Sequence, residues 1–320
     1  AASISSQSDN LCFGSAIGNA TLSLSGGTSP FTYVWSNGDT GITADSLPAG
    51  LISVTITDSN NCTGSASTTI TEPAQIVPTV SGNDARCSGV NDGSASVSVA
   101  GGTSPFTYSW SNGDSGSSSD SLGAGYAVVT ITDNNSCTVI DSVNILQPSS
   151  IVSSITTTSP VSCNSGDNGS ATVAAPSGGT SPYTYLWSNG DATPTADSLT
   201  AGQVTVVITD ANGCTLSLNG SITQPVAIAI NATSTNVTCY GDADGAANAA
   251  VSGGTSPYSY SWSPIGGTAV SASGLAPGTY TVTVTDGNNC TSTSSVVITQ
   301  PNQILAQAGS DQAGCDPVFA

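Results

Sequence analysis

Histidine, lysine and methionine are missing from this chain of 320 residues, and Arg86 is the one basic side chain set against 20 Asp and Glu, for a formal net charge of -19. Such a balance disfavours phosphate backbones and anionic lipid surfaces, so neither nucleic acid nor a membrane surface is expected as a partner. Without His or Lys, a Ser or Cys nucleophile lacks its usual base, and an enzyme is not expected. The absence of Lys also excludes Lys-Asn isopeptide crosslinks. No apolar run reaches the 18 or so residues needed to span a bilayer as a helix. The opening AASISSQSDN has neither the basic nor the apolar region of a signal peptide.

What is present repeats. Trp falls at 35, 110, 187 and 262, each at the centre of GGTSPFTYVWSNGD or a close variant of it. A first cysteine recurs at Cys12, Cys87, Cys163, Cys239 and Cys315, and a second at Cys62, Cys137, Cys214 and Cys290. Units close on Glu72-Pro73, Gln147-Pro148, Gln224-Pro225 and Gln300-Pro301. The repeats are therefore placed at 1–73, 74–148, 149–225 and 226–301, with 302–320 as the start of a fifth. With Cys315 in the first-cysteine position, the chain reads as a segment of a longer array.

Inside each unit the period is 2, the pattern of half-buried strands. Ile52, Val54 and Ile56 share one face and Ser53, Thr55 and Thr57 the other; the alternation persists as Ala127, Val129, Ile131, as Val204, Val206, Ile208 and as Tyr280, Val282, Val284. Gly-Gly, Asn-Gly and Asp-x-Asn clusters between the runs read as turns, Asn-Gly being a strong hairpin cue. Six or seven short strands in about 75 residues predict an all-β tandem array of small immunoglobulin-like antiparallel β-sandwiches. The linkers hold one Pro each, which restricts motion between units.

A 75-residue unit with few aromatics buries little, and small secreted domains commonly compensate with disulfides. With no CxxC and no His, metal ligation by these cysteines is the weaker reading. The expected pairs lie within units: Cys12 with Cys62, Cys87 with Cys137, Cys163 with Cys214 and Cys239 with Cys290. Each would close a loop of about 50 residues, worth roughly 4 kcal/mol in the chain-entropy model. An oxidising, extracytoplasmic setting follows.

Asp242 and Asp244, in Gly-Asp-Ala-Asp-Gly, are the best calcium ligands on offer, but the cluster thins from copy to copy and reads first as an Asx-type turn; no cofactor is assigned, with calcium as the alternative. Trp35, Trp110, Trp187 and Trp262 share a strand face with Phe or Tyr, which places them in the core; an exposed ladder that stacks on glycans is the alternative.

The combination DGSASVSVAGGTSPFTYSWSNG, LGAGYAVVTITDNNSCT and ITQP resembles the SprB repeat of large surface adhesins from gliding Bacteroidota, and the likeness runs through all four units. It implies export by the type IX route and display as an extracellular filament used in adhesion and surface movement, with neighbouring repeats as the first partners and surface glycans or self-association as others. Asp45-Ser46-Leu47, Asp120-Ser121-Leu122, Asp141-Ser142-Val143 and Asp197-Ser198-Leu199 also resemble the Asp-Ser/Thr-apolar signal that Bacteroidota use for O-glycosylation. This makes Ser46, Ser121, Ser142 and Ser198 candidate sites, with a polar turn as the plain reading. The competing functions are a multivalent glycan- or calcium-binding array and a spacer on a secreted enzyme.

Overall fold

In the first repeat the alternating segments form six strands: β1 (Ala2–Ser8), β2 (Gly18–Leu24), β3 (Thr32–Trp35), β4 (Thr43–Leu47), β5 (Gly50–Thr57) and β6 (Thr63–Ile70). The computed structural model describes residues 1–307 and 309, and among them there are 24 strands and no helix. β1, β2 and β4 make one antiparallel sheet, and β3, β5 and β6 make the other. The later repeats keep this order: in the second, Val77–Asn83, Gly93–Ala100 and Ser118–Leu122 face Thr107–Trp110, Gly125–Thr132 and Thr138–Ile145.

The period-2 pattern decides which face goes inward. In β5 the side chains of Ile52, Val54 and Ile56 are buried while Leu51, on the other face, is 72% exposed. Trp35 pairs across the ladder with Val54, and Tyr33 with Ile56, so the aromatic strand delivers its largest ring to the middle of the core. Trp35, Trp110, Trp187 and Trp262 are all buried, in four separate hydrophobic clusters, one to a repeat. A buried indole needs an acceptor for its N–H. Each Nε1 finds one in the loop after the hairpin: Gly41 at 2.8 Å, Gly116 at 3.0 Å, Thr193 at 2.9 Å and Ala269 at 3.1 Å.

The hairpin turn is itself braced. Asn37 Nδ2 donates to Asp39 and to the carbonyl of Asp45, and Asp39 in turn accepts the Asp45 amide at 2.9 Å. This holds β4 where its pairing with β2 slips between Gly18 and Ala20. The slip puts Ser46 at φ 54°, with Ser121 and Ser198 at 58° and 54° in the same place. The fourth repeat has Gly274 there, at φ 69°, a conformation that suits a residue without Cβ.

The chain divides into two compact units. One comprises 1–150 with 178–181 and 211–214, and the other 151–177, 182–210 and 215–320. The first therefore holds the first two repeats together with two loops that belong in sequence to the third.

Candidate functional site

Chemistry-bearing side chains gather in two loops of each repeat, at opposite ends of the sandwich. The second-cysteine loop joins β5 to β6 and is organised by an aspartate. Asp58 Oδ1 accepts the amides of Asn60 and Cys62, both at 2.9 Å, while Oδ2 accepts that of Thr28 at 3.2 Å. Asp133 does the same with Asn135, Cys137 and Thr103, and Asp286 with Asn288, Cys290 and Thr255. The residue before the cysteine takes a left-handed backbone in all four loops: Asn61, Ser136, Gly213 and Asn289.

The Cys62 amide, with those of Thr28 and Asn60, holds the Asp58 carboxyl below the usual carboxylate range against a partial desolvation. A folded-state pKa below the unfolded value gives stability that is complete above the unfolded pKa, near 3.9, and is lost as pH falls through the lowered folded value. Asp58→Asn should therefore destabilise the first repeat at pH 7 and lose that effect at a pH below the lowered folded value. Urea melts of both proteins at the two pH values check this; an equal gap at both would show that the charge has no role.

The first-cysteine loop lies between β1 and β2. It is tied down by the residue that precedes the linker proline: Gly14 N donates to Glu72 at 2.7 Å, Gly89 N to Gln147 at 2.7 Å, Ser165 N to Gln224 at 2.9 Å and Gly241 N to Gln300 at 3.0 Å. In three repeats a side chain six residues downstream caps the amide before the cysteine, namely Asp92 on Arg86, Asn168 on Ser162 and Asp244 on Thr238. Asp244 also accepts the Thr238 hydroxyl, and Thr238 keeps its carboxyl below the ordinary value. Neutral Asn168 fills the same post, so the brace does not depend on charge. Asp242 is exposed, its amide on the Cys239 carbonyl. Among the described residues no group of three or more Cys, Asp or Glu is arranged to hold a metal ion.

The disulfides join the two kinds of loop across repeats, and the expected pairing within repeats is corrected. Cys12 is bonded to Cys137, Cys87 to Cys214 and Cys163 to Cys290, with Cα–Cα distances of 5.7, 5.6 and 5.6 Å. Each of these three first cysteines therefore reaches the second cysteine of the following repeat. The reason is the length of β5. Asn10, two residues before Cys12, donates its amide to Thr71 just beyond the Gly50↔Ile70 end of the β5–β6 ladder, whereas Cys62 follows the Thr57↔Thr63 end. At about 3.4 Å per residue those ends are roughly 24 Å apart. Disulfide geometry needs Cα atoms within about 7 Å. Cys62 and Cys239 are free and exposed, and Cys315 lies outside the described residues.

Two features that the sequence presented only as turn formers set the junction. Asn135 Nδ2 donates to the carbonyl of Leu11, the residue before Cys12, at 2.9 Å; Asn212 does so to Arg86 before Cys87, and Asn288 to Ser162 before Cys163, both at 3.0 Å. The signal was visible in the Asp-x-Asn-x-Cys spacing, whose central Asn is the same in every copy. The Gly-Gly turn is the other. Gly102 N donates to the linker carbonyl of Ala74 at 2.8 Å, Gly179 N to Ser149 at 2.7 Å and Gly254 N to Val226 at 2.8 Å.

The candidate modification sites fall elsewhere. Ser46, Ser121 and Ser198 are exposed on the slipped strand, and Ser142 is exposed within Thr138–Ile145, opposite Val128.

Two three-stranded antiparallel sheets closed over one Trp-centred core, four times in tandem, define an array of immunoglobulin-like β-sandwich domains. The particular repeat matches the SprB repeat family, four times in tandem, at residues 4–40, 79–115, 155–192 and 231–267. No curated protein sequence matches. Among solved structures the chain is similar to the eight N-terminal Ig domains of Down Syndrome Cell Adhesion Molecule, at 11% identity and TM-score 0.30, over 93% of this chain and 47% of that one. It is also similar to invasin, a bacterial integrin-binding protein, at 11% identity and TM-score 0.35, over 93% and 79%. An S-layer protein matches at 14% identity and TM-score 0.22, over 95% and 55%. The chain spans about half the length of the first of these. No helix among the described residues is long and apolar enough to cross a membrane.

Proposed function

We propose that this chain is an extracellular structural array, the stalk of a surface adhesin or filament, in which the repeats provide length and resist extension. The observation that carries the reading is the staggered set of disulfides, which bonds each of three repeats to its successor. Bonds of that kind persist in an oxidising compartment outside the cytoplasm, and their placement suits a chain under tension better than one that binds small molecules. Trp35, Trp110, Trp187 and Trp262, the rings weighed as a sugar-stacking ladder, are inside the sandwiches. Export, adhesion and a part in gliding belong to the same reading and rest on the SprB family likeness.

Labelling of intact producing cells with an antibody to residues 1–301 tests it. Label on unbroken cells, lost on brief protease treatment, is expected. Retention of the protein inside the cell, with its thiols free, would end the proposal.

A further inference from the structure

The three bonds define two half-sites. One is the second-cysteine loop with its Asn and the adjoining Gly-Gly turn, and the other is the first-cysteine loop with its braces. Among the described residues, two half-sites of this design carry no bond. We propose that Cys62 and Cys239 are docking and bonding sites for further SprB repeats joined in tandem to this chain, Cys62 taking the first cysteine of a repeat before it and Cys239 the second cysteine of a repeat after it. The proposal is independent of where the protein acts.

The Cys62 half-site is already in the bonded geometry. Asp58 holds the Asn60 and Cys62 amides at 2.9 Å, as Asp133 holds those of Asn135 and Cys137. Asn60 Nδ2 rests on Thr28 Oγ1 at 3.1 Å, as Asn135 rests on Thr103 and Asn212 on Thr180, both at 3.1 Å. In those two repeats the same nitrogen also holds the carbonyl before the partner cysteine. Beside Cys62 an open cleft of about 210 Å³ is lined by Gly26, Gly27, Phe31, Ile56 and Asp58. A Cβ on Gly26 would meet nothing within 4 Å, whereas on Gly101, Gly178 and Gly253 it would lie 1.9, 2.0 and 2.1 Å from a linker carbonyl. The surface that receives a linker in the other three repeats is thus exposed in the first.

Cys239 matches from the other side. Its loop is held by Asp244 on the Thr238 amide at 3.0 Å and by Gln300 on the Gly241 amide at 3.0 Å, as the Cys87 loop is held by Asp92 at 3.0 Å and Gln147 at 2.7 Å. The Thr238 carbonyl stands where those of Arg86 and Ser162 accept an Asn amide. A repeat is the fitting occupant because the half-site at Cys62 recognises three features of one: a backbone carbonyl preceding a cysteine, a linker backbone that lies on Gly-Gly, and the thiol itself.

Bond formation removes two protons and two electrons from the thiol pair. Oxidised glutathione accepts them by exchange: one thiolate attacks the glutathione disulfide and releases one reduced glutathione, then the second thiolate attacks the mixed disulfide and releases another.

The test lengthens the full chain at its start with a copy of residues 226–303, refolds it in a glutathione redox buffer, alkylates free thiols and maps the bonded peptides by mass spectrometry. The expected product links the copy's first cysteine to Cys62, with the three existing bonds intact as the control for folding, and Asn60→Ala leaves that linked peptide the minor species. Full alkylation of Cys62 beside three intact bonds would overturn the proposal. So would the unlengthened chain joining Cys239 to Cys62 of a second copy, which would make the half-sites an assembly contact between molecules.

Discussion

Pulled by its two ends, the oxidised chain should give no extension from the segments between Cys12 and Cys137 or between Cys163 and Cys290. Tension enters at the first of each pair and leaves at the second, so the intervening segments, across sequence separations of 125 and 127, carry none of it even if their sandwiches open. Only the stretch from Cys137 to Cys163 lies in the direct path, and the Cys87–Cys214 bond spans it. Reduction restores the whole contour, and each freed segment should add roughly 400 Å at about 3.4 Å per residue. Single-molecule force extension with and without reductant reads this directly. Equal extension in the two states, with bonds verified in the oxidised sample, would refute the topology. The effect is large because the bonds connect repeats. A staple from Cys12 to Cys62 would have hidden only 50 residues or so of each sandwich and left every junction under load.

The same placement alters what the bonds do for stability. A loop of about 125 residues has a closure term of roughly 5 kcal/mol in the chain-entropy model, but that term is shared by two repeats that must both unfold to realise it. The single repeat, with its Trp-centred core and its aspartate-braced loop, has to be stable largely by itself.

Much of this was legible in the chain. The period-2 runs gave the strands and the inward face, because burial of alternate side chains is a local property that substitution preserves: Ile52, Val54 and Ile56 become Tyr280, Val282 and Val284 without loss of phase. The cysteine partners were not legible. In a perfect tandem array, pairing a first cysteine with the second of its own repeat or of the next recurs with the same period, so spacing cannot separate them. The decision lies in which end of β5 each loop occupies, and that is set by the β-sheet register. Asp58 and its equivalents were read as turn residues, and they are; what one repeat could not show is that the turn they build presents Asn135, Asn212 and Asn288 to another repeat. For Asp242 and Asp244 the local pattern pointed to a turn, and Asp244 braces the first-cysteine loop.

Gly101→Ala should prevent formation of the Cys12–Cys137 bond, while Gly26→Ala should leave all three bonds in place. Both glycines have left-handed backbone, at φ 70° and 81°, so alanine brings a similar conformational cost of about 1–2 kcal/mol at either position. Their surroundings differ. A Cβ on Gly26 enters open space, whereas on Gly101 it would sit 1.9 Å from the Gln75 carbonyl oxygen, backbone that can yield only if the linker lifts away. Lifting the linker breaks the 2.8 Å bond from Gly102 N to Ala74 and carries the Cys12 loop off the Asn135 amide that positions it. Alkylation followed by peptide mapping counts the free thiols, and urea melts of the two variants isolate the shared backbone strain. Identical bond yields in both would mean that the Gly-Gly turn is kept for its own conformation, as its sequence first suggested. A loss confined to Gly101→Ala would mean that the second half of the repeated GGTSP…W motif fills the core of its own sandwich while the first half serves the repeat before it.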